Sequence, residues 1–151
     1  MTSGQFDHRA TARAFTERTD ARVSLKPAGA TKGFFDGGWW PRSREPVAEF
    51  STLISSLAER FGPVDRIGYS RGSWDTAPDR LLVGQNTVRL QGFRGMNAHT
   101  IVLIGPNLRR VTLLVVPAHA AADPANTALD TVAAADCVAD AALILTAISP
   151  F

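Results

Sequence analysis

Two hydrophobic segments in the second half of the chain constrain its fold more than any other feature. They read TIVLIG at residues 100–105 and VTLLVVP at residues 111–117. Apolar side chains occupy both alternating positions of each segment, so each predicts a strand that is covered on both faces. We expect helices to cover one face. The loop at residues 34–40, the amino-terminal segment or a second subunit would cover the other, and the last option predicts a homodimer.

The remaining pattern predicts two long helices and several more strands. An apolar stripe with a proline in its first turn and Gly62-Pro63 after it predicts a helix over residues 46–61. An alanine-rich helix is expected from Asp123-Pro124 to about Ile148. Strands are expected at about 21–28, 65–74, 80–83, 87–94, 99–105 and 110–117, with hairpin turns at 84–86 and 105–107.

This order, β-α-β(4–5)-α, predicts a single domain of the α+β class at residues 21–151. We expect a mostly antiparallel twisted sheet with both helices on one face, preceded by a mobile arm at residues 1–20. The order resembles the TATA-binding-protein-like and helix-grip folds by topology. A shared topology transfers no function.

Composition places the chain among globular proteins without a membrane segment. It has 151 residues, of which 45% are hydrophobic and 20% charged, and no apolar run reaches the length of a membrane span. Its one cysteine excludes an intrachain disulfide, and we expect a cytoplasmic protein. All 16 Lys and Arg lie in residues 1–110, whose charge balance is +6, against −4 for residues 111–151. This asymmetry favours a surface that meets an anionic partner.

Residues 68–72 read GYSRG and match the nucleophile-elbow motif of α/β-hydrolases. The motif requires a helix directly after the turn, whereas the following residues include Pro78 and have no helical period. A hydrolase using Ser70 is therefore the least favoured function, and it predicts a hydrogen bond between Ser70 and a histidine. The three histidines and the cysteine lack the spacing of metal ligands, so we predict no catalytic residue, no metal and no cofactor.

The most unusual stretch is GGWWPRSR at residues 37–44. Adjacent tryptophans are costly to leave in water, so they either fill the uncovered face of the sheet or form a platform on which a base, a sugar or a guanidinium stacks. The arginines suit phosphate or carboxylate groups near a helix amino terminus. The candidate ligand-binding residues are Trp39, Trp40, Arg42, Arg44, Arg71, Trp74 and Arg89, which Tyr69, Phe93, Arg94 and His99 could join.

Several of these residues also carry a resemblance to a known family. They are Leu25-Lys26-Pro27, residues 38–44, Trp74, Val88-Arg89-Leu90 with Gly92-Phe93, His99, and LLVVP at residues 113–117. Together they resemble a family of small actinobacterial proteins of unknown function that carry an early G-x-W-W-P-R-S-R signature and a late L-L-V-V-P strand. The similarity spans roughly residues 22–117. It implies a bacterial cytoplasmic protein and no particular activity, and Ser70 is not part of the signature.

The sequence predicts a non-enzymatic binding protein with a regulatory or stress-related role. The predicted partner is anionic, such as nucleic acid, ribosomal RNA or a phosphorylated ligand, and it binds at the loop with the tryptophans and arginines. The alternative is an apolar small-molecule pocket between the sheet and the long helix, as in helix-grip proteins.

Overall fold

The computed structural model describes residues 11–13, 21–27, 33–58, 61–134 and Ile144. In this part of the chain, eight strands form one sheet, and two α-helices, α1 (Pro46–Leu57) and α2 (Ala122–Val132), pack on it. The strands are β1 (Thr11–Arg13), β2 (Val23–Leu25), β3 (Gly37–Trp39), β4 (Arg66–Ser70), β5 (Arg80–Val83), β6 (Asn86–Phe93), β7 (Thr100–Ile104) and β8 (Arg110–Val115). No helix within the described residues is long and apolar enough to cross a membrane.

The strand order across the sheet is β1-β5-β6-β4-β7-β8-β3-β2. Antiparallel pairing joins β5 to β6, β4 to β7, β7 to β8 and β2 to β3, whereas β1/β5, β4/β6 and β3/β8 are parallel. The predicted α+β class with a mostly antiparallel sheet is confirmed. As a result, β3, β4, β6 and β8 run in one direction, and their carboxyl ends reach the same edge of the sheet.

Both predicted hairpin turns are present. Val83 pairs with Asn86, so β5 and β6 are joined by a two-residue turn in which Gly84 has a φ of +61°. Ile104 pairs with Arg110, and the turn between them places Asn107 at a φ of 61°. Glycine and asparagine tolerate this left-handed conformation better than other residues, which is why both turns were visible in the sequence.

The two helices lie on opposite faces, so the prediction that both cover one face is wrong. Leu113 and Val115 of β8 belong to the core that contains α1, whereas Leu114 and Val116 belong to the core that contains α2. Because neighbouring residues of a strand point to opposite faces, a strand that is apolar on both faces needs cover on each side. Phe35 and Trp40 join α2 in covering the second face.

Strand β3 was predicted as part of a loop. It pairs with β8 on one side and β2 on the other. A side chain at Gly38 would place its Cβ 2.6 Å from Val132 Cγ1 of α2, so only glycine lets the helix approach the strand this closely. Of the predicted arm, Thr11–Arg13 form β1 beside β5, and the rest lies outside the described residues. The predicted continuation of the last helix beyond Val132 lies outside them too, apart from Ala133, Ala134 and a buried Ile144.

Candidate functional site

All three tryptophans are buried. Trp39 is 1% exposed, Trp40 8% and Trp74 6%. Trp39 stacks on Trp74 with ring centroids 5.4 Å apart, and Phe50 of α1 meets the Trp74 ring edge-on at 4.8 Å. Offset stacking and edge-on contacts are the arrangements that aromatic quadrupoles favour. This burial agrees with the alternative in which the tryptophans fill the core.

Trp40 lies on the other face of the sheet, beneath an arginine. The Arg22 guanidinium stacks 3.6 Å from the ring centroid of Trp40 and donates hydrogen bonds to the carbonyl oxygens of Trp40 and Pro41. Burial lowers the pKa of Arg22, as does the neighbouring Arg42, whereas Glu49 raises it. Because Arg22 bonds to two successive carbonyl oxygens, it fixes the start of the loop through its planar fork, a geometry that lysine cannot reproduce.

The loop at residues 42–44 is held by α1 on one side and by the turn after β4 on the other. The Arg42 backbone N–H and the Ser43 hydroxyl donate to the two carboxylate oxygens of Glu49, which lies in the first turn of α1. Arg44 donates from Nε to the carbonyl oxygen of Ser73 at 3.0 Å and from a terminal nitrogen to that of Gly72. The serine and arginines of the motif thereby join α1 to the turn after β4.

Beside this loop lies a cleft of about 330 Å³ at the edge where the parallel strands end. Its walls come from the segments after β3, β4 and β8 and from the segment before β7. Crevices outside the carboxyl ends of strands are common ligand sites in α/β sheets. The lining residues are Pro41, Ser43, Arg44, Gly72, Ser73, Trp74, Ala98, His99, Val115, Pro117, Ala118 and His119.

The cleft combines an apolar wall with cationic and hydrogen-bonding groups. Trp74, Val115 and the prolines supply the wall, and Arg44, His99 and His119 supply the polar side, while no Asp or Glu of the described residues lines it. His99 Nδ1 lies 3.3 Å from the carbonyl oxygen of Val115. A carbonyl oxygen only accepts, so in a hydrogen bond between these two atoms Nδ1 is the donor.

Ser70 lacks the geometry of a hydrolase nucleophile. It is buried, and its hydroxyl accepts a hydrogen bond from the Ser73 hydroxyl at 3.2 Å. The chain after Ser70 makes one turn of 3-10 helix and then becomes extended at Trp74, so the helix that the elbow requires is missing. Within the described residues, no hydrogen bond joins Ser70 to a histidine, and no group of three or more His, Cys, Asp or Glu could hold a metal ion.

The structure brings together only part of the predicted site. Arg44 and Trp74 line the cleft, and Trp39 lies directly behind Trp74. Arg71 lines a separate polar pocket, and Arg89 is exposed on the sheet face away from α1. His119 also lines the cleft and is not among the residues that the sequence predicts for the site. The signal that could have found it is its position two residues after the LLVVP strand, where parallel strands place functional side chains.

Comparison with protein families identifies a match. Residues 22–132 match the model of a family described as a family of unknown function, DUF5994. This confirms the predicted kinship with a family of unknown function. Neither the curated proteins nor the solved structures contain a match to the chain.

Proposed function

We propose that this chain, which belongs to the DUF5994 family of unknown function, is a binding protein. Its ligand would be a small anion with an apolar body, such as an aryl or alkyl phosphate or carboxylate. The observation that carries the proposal is the cleft in which Arg44, His99 and His119 face an apolar wall. Its volume of about 330 Å³ suits a small ligand.

Arg44 is the main anchor of the anionic group. Its bonds to the carbonyl oxygens of Ser73 and Gly72 fix the side chain and leave further N–H donors of the guanidinium for a ligand. The planar fork of a guanidinium matches the geometry of phosphate and carboxylate oxygens. A side chain that is already ordered loses less entropy when the ligand binds.

The apolar body of the ligand would lie against Trp74, Val115 and Pro117. Trp74 is itself held by Trp39 and Phe50 from behind, so this wall is preorganised. The proposal thus retains the predicted anionic partner and moves the site from the tryptophan rings to the cleft that they support. Binding rather than catalysis is favoured because Ser70 is buried and bonded to Ser73.

The test compares three probes by isothermal titration calorimetry. Phenyl phosphate has both features, inorganic phosphate has only the charge, and phenol has only the ring. We expect phenyl phosphate to bind more tightly than either fragment. Arg44→Gln removes charge-assisted hydrogen bonds worth about 1.5–3 kcal/mol, so it should weaken binding by about tenfold or more.

Arg71→Gln is the matched control, because it removes one exposed arginine that does not line the cleft. Its affinity for phenyl phosphate should equal that of the unmodified protein. Equal weakening by both substitutions would indicate a nonspecific charge effect and reject the cleft as the site.

A further inference from the structure

The sheet face away from α1 carries a row of arginines. Arg80 of β5 pairs with Arg89 of β6, and Arg89 pairs with Arg66 of β4. Arg66 is next to Ile104 of β7, which pairs with Arg110 of β8. All four arginines are exposed. Paired residues in a sheet point to the same face, so the four guanidinium groups extend from one surface.

The buried residues next to these arginines show which face of the sheet the arginines occupy. Ile67, Leu81, Val88 and Val111 alternate with them and lie in the core beneath α1. Adjacent strands are about 4.8 Å apart, so Arg80, Arg89 and Arg66 span about 10 Å of backbone and Arg110 extends the row by about another 10 Å.

An exposed aromatic ring lies next to the row. Phe93 is 48% exposed on the same face, and its ring leans over Gly68, where an added Cβ would lie 3.2 Å from Cε2. Gly68 is two residues beyond Arg66 on β4, so the ring lies one step along the strands from the arginines. The absence of a side chain at Gly68 is what gives the ring a flat position on the sheet.

We propose that this face, defined by Arg66, Arg80, Arg89, Arg110 and Phe93, binds single-stranded nucleic acid. The arginines would contact successive phosphates and Phe93 would stack on a base, which is how sheet surfaces with aromatic residues bind single strands. Charge complementarity carries the choice of partner. Like charges placed directly opposite each other destabilise a sheet, and a polyanion relieves that repulsion.

A single strand fits this surface better than a duplex does. The bases of a duplex are stacked on each other and offer no ring face to Phe93, whereas a single strand exposes them. The inference is independent of the cleft, because none of the five residues lines it.

The experiment measures fluorescence anisotropy of labelled oligothymidine and oligouridine of about ten nucleotides, within the site size of a small domain. The full chain is titrated at several salt concentrations. Arg66→Gln/Arg89→Gln should weaken binding and lower the magnitude of the log–log salt slope by about 1.4, since each lost phosphate contact in a single strand contributes about 0.7.

The matched control is Arg71→Gln/Arg109→Gln, which removes the same charge from outside both the row and the cleft and should leave affinity and slope almost unchanged. Phe93→Ala should weaken binding by about fivefold to 150-fold, the range for loss of one stacked base. Phe34→Ala, which removes another exposed aromatic ring, is its control. Circular dichroism before each titration ensures that only folded variants are compared.

Three outcomes would overturn the proposal. One is no binding by the unmodified protein at low salt, and another is equal weakening by the two arginine pairs. The third is that the protein binds polyphosphate or duplex as tightly as the single strand and that Phe93→Ala has no effect. That result would mean that the surface attracts any polyanion.

Discussion

Trp39 stacks on Trp74 with their planes 14° apart, and this contact joins β3 to the turn after β4 across the core. The two residues are far apart in sequence, and neither ring is more than 6% exposed. The stack sits between α1 and the sheet and forms the back of the cleft. Trp39 of the GGWWPRSR stretch therefore supports, from behind, the cleft that Arg44 of the same stretch lines.

Loss of this stack should destabilise the protein severely. Trp74→Ala removes a buried aromatic ring and leaves a cavity beside Trp39 and Phe50, for which about 3–5 kcal/mol is expected. The free energy of unfolding from urea denaturation measures it. Phe34→Ala, at a position that is 64% exposed, should change stability by less than about 0.5 kcal/mol. A Trp74→Ala variant as stable as the Phe34→Ala control would contradict the core described above.

Gly38 should not tolerate even a methyl group. An added Cβ would lie 2.6 Å from Val132 and 3.0 Å from Leu129, so α2 would have to move away from β3. We expect Gly38→Ala to lower the melting temperature through a loss of about 1–3 kcal/mol. Gly72→Ala is the matched control, because its Cβ would meet nothing within 4 Å. Similar melting temperatures for the two variants would show that α2 does not pack on β3 as described.

Tyr69 should ionise above the ordinary tyrosine value of 10.0, because burial raises its pKa. Arg71 lowers the pKa and Asp79 raises it, both to a smaller extent. The chain has one tyrosine, so tyrosinate absorbance in a pH titration reports on this residue alone. An Arg71→Gln variant should titrate still higher, and a midpoint below 10.0 in the unmodified protein would be incompatible with a buried hydroxyl.

The sign of the linked stability change follows from the same shift. Above pH 10 the unfolded chain loses the tyrosine proton before the folded chain does, so the free energy of unfolding falls as pH rises through the folded pKa. The stability linked to the protonated Tyr69 is fully present below pH 10. Tyr69→Phe removes the ionisable group and should flatten the alkaline part of the stability curve.

The arginine row should reduce the stability of the free protein. Arg89 is directly opposite both Arg80 and Arg66, so Arg89→Gln should stabilise the fold by about 0.2–1 kcal/mol. Raising the salt concentration from about 0.05 to about 0.5 M screens the repulsion and should stabilise the unmodified protein more than the variant. Arg71→Gln, outside the row, should show neither effect. Destabilisation by Arg89→Gln in thermal denaturation would mean that the guanidinium makes a favourable contact in the folded state.

The predictability of each feature from the sequence depends on how local its cause is. The helix at Pro46–Leu57 and the turns at Gly84 and Asn107 were predicted because stripe, proline and turn residues lie within a few positions of one another. Strand β3 was missed because Gly37 and Gly38 have poor strand propensity, and the strand depends on pairing with the distant β8.

The difference between local and distant causes also decides which site residues the sequence predicts. Arg44 was proposed from its own neighbourhood, but His119 joins it only because β3 and β8 are parallel and end at the same edge. The arginine row depends on the register between β4 and β6, which no local pattern encodes. The burial of the adjacent tryptophans depends on distant elements too, because Trp39 lies in the core beneath α1 and Trp40 lies in the core with α2 on the other face.

NMR of the histidine ring protons during titration with phenyl phosphate tests whether the cleft binds a small anion. Of the histidines, His99 and His119 line the cleft. We expect saturable shifts for the signals of His99 and His119 in the unmodified protein and loss of saturation in Arg44→Gln. Unchanged spectra in the unmodified protein, or the same saturable shifts in Arg44→Gln, would contradict the cleft as a ligand site.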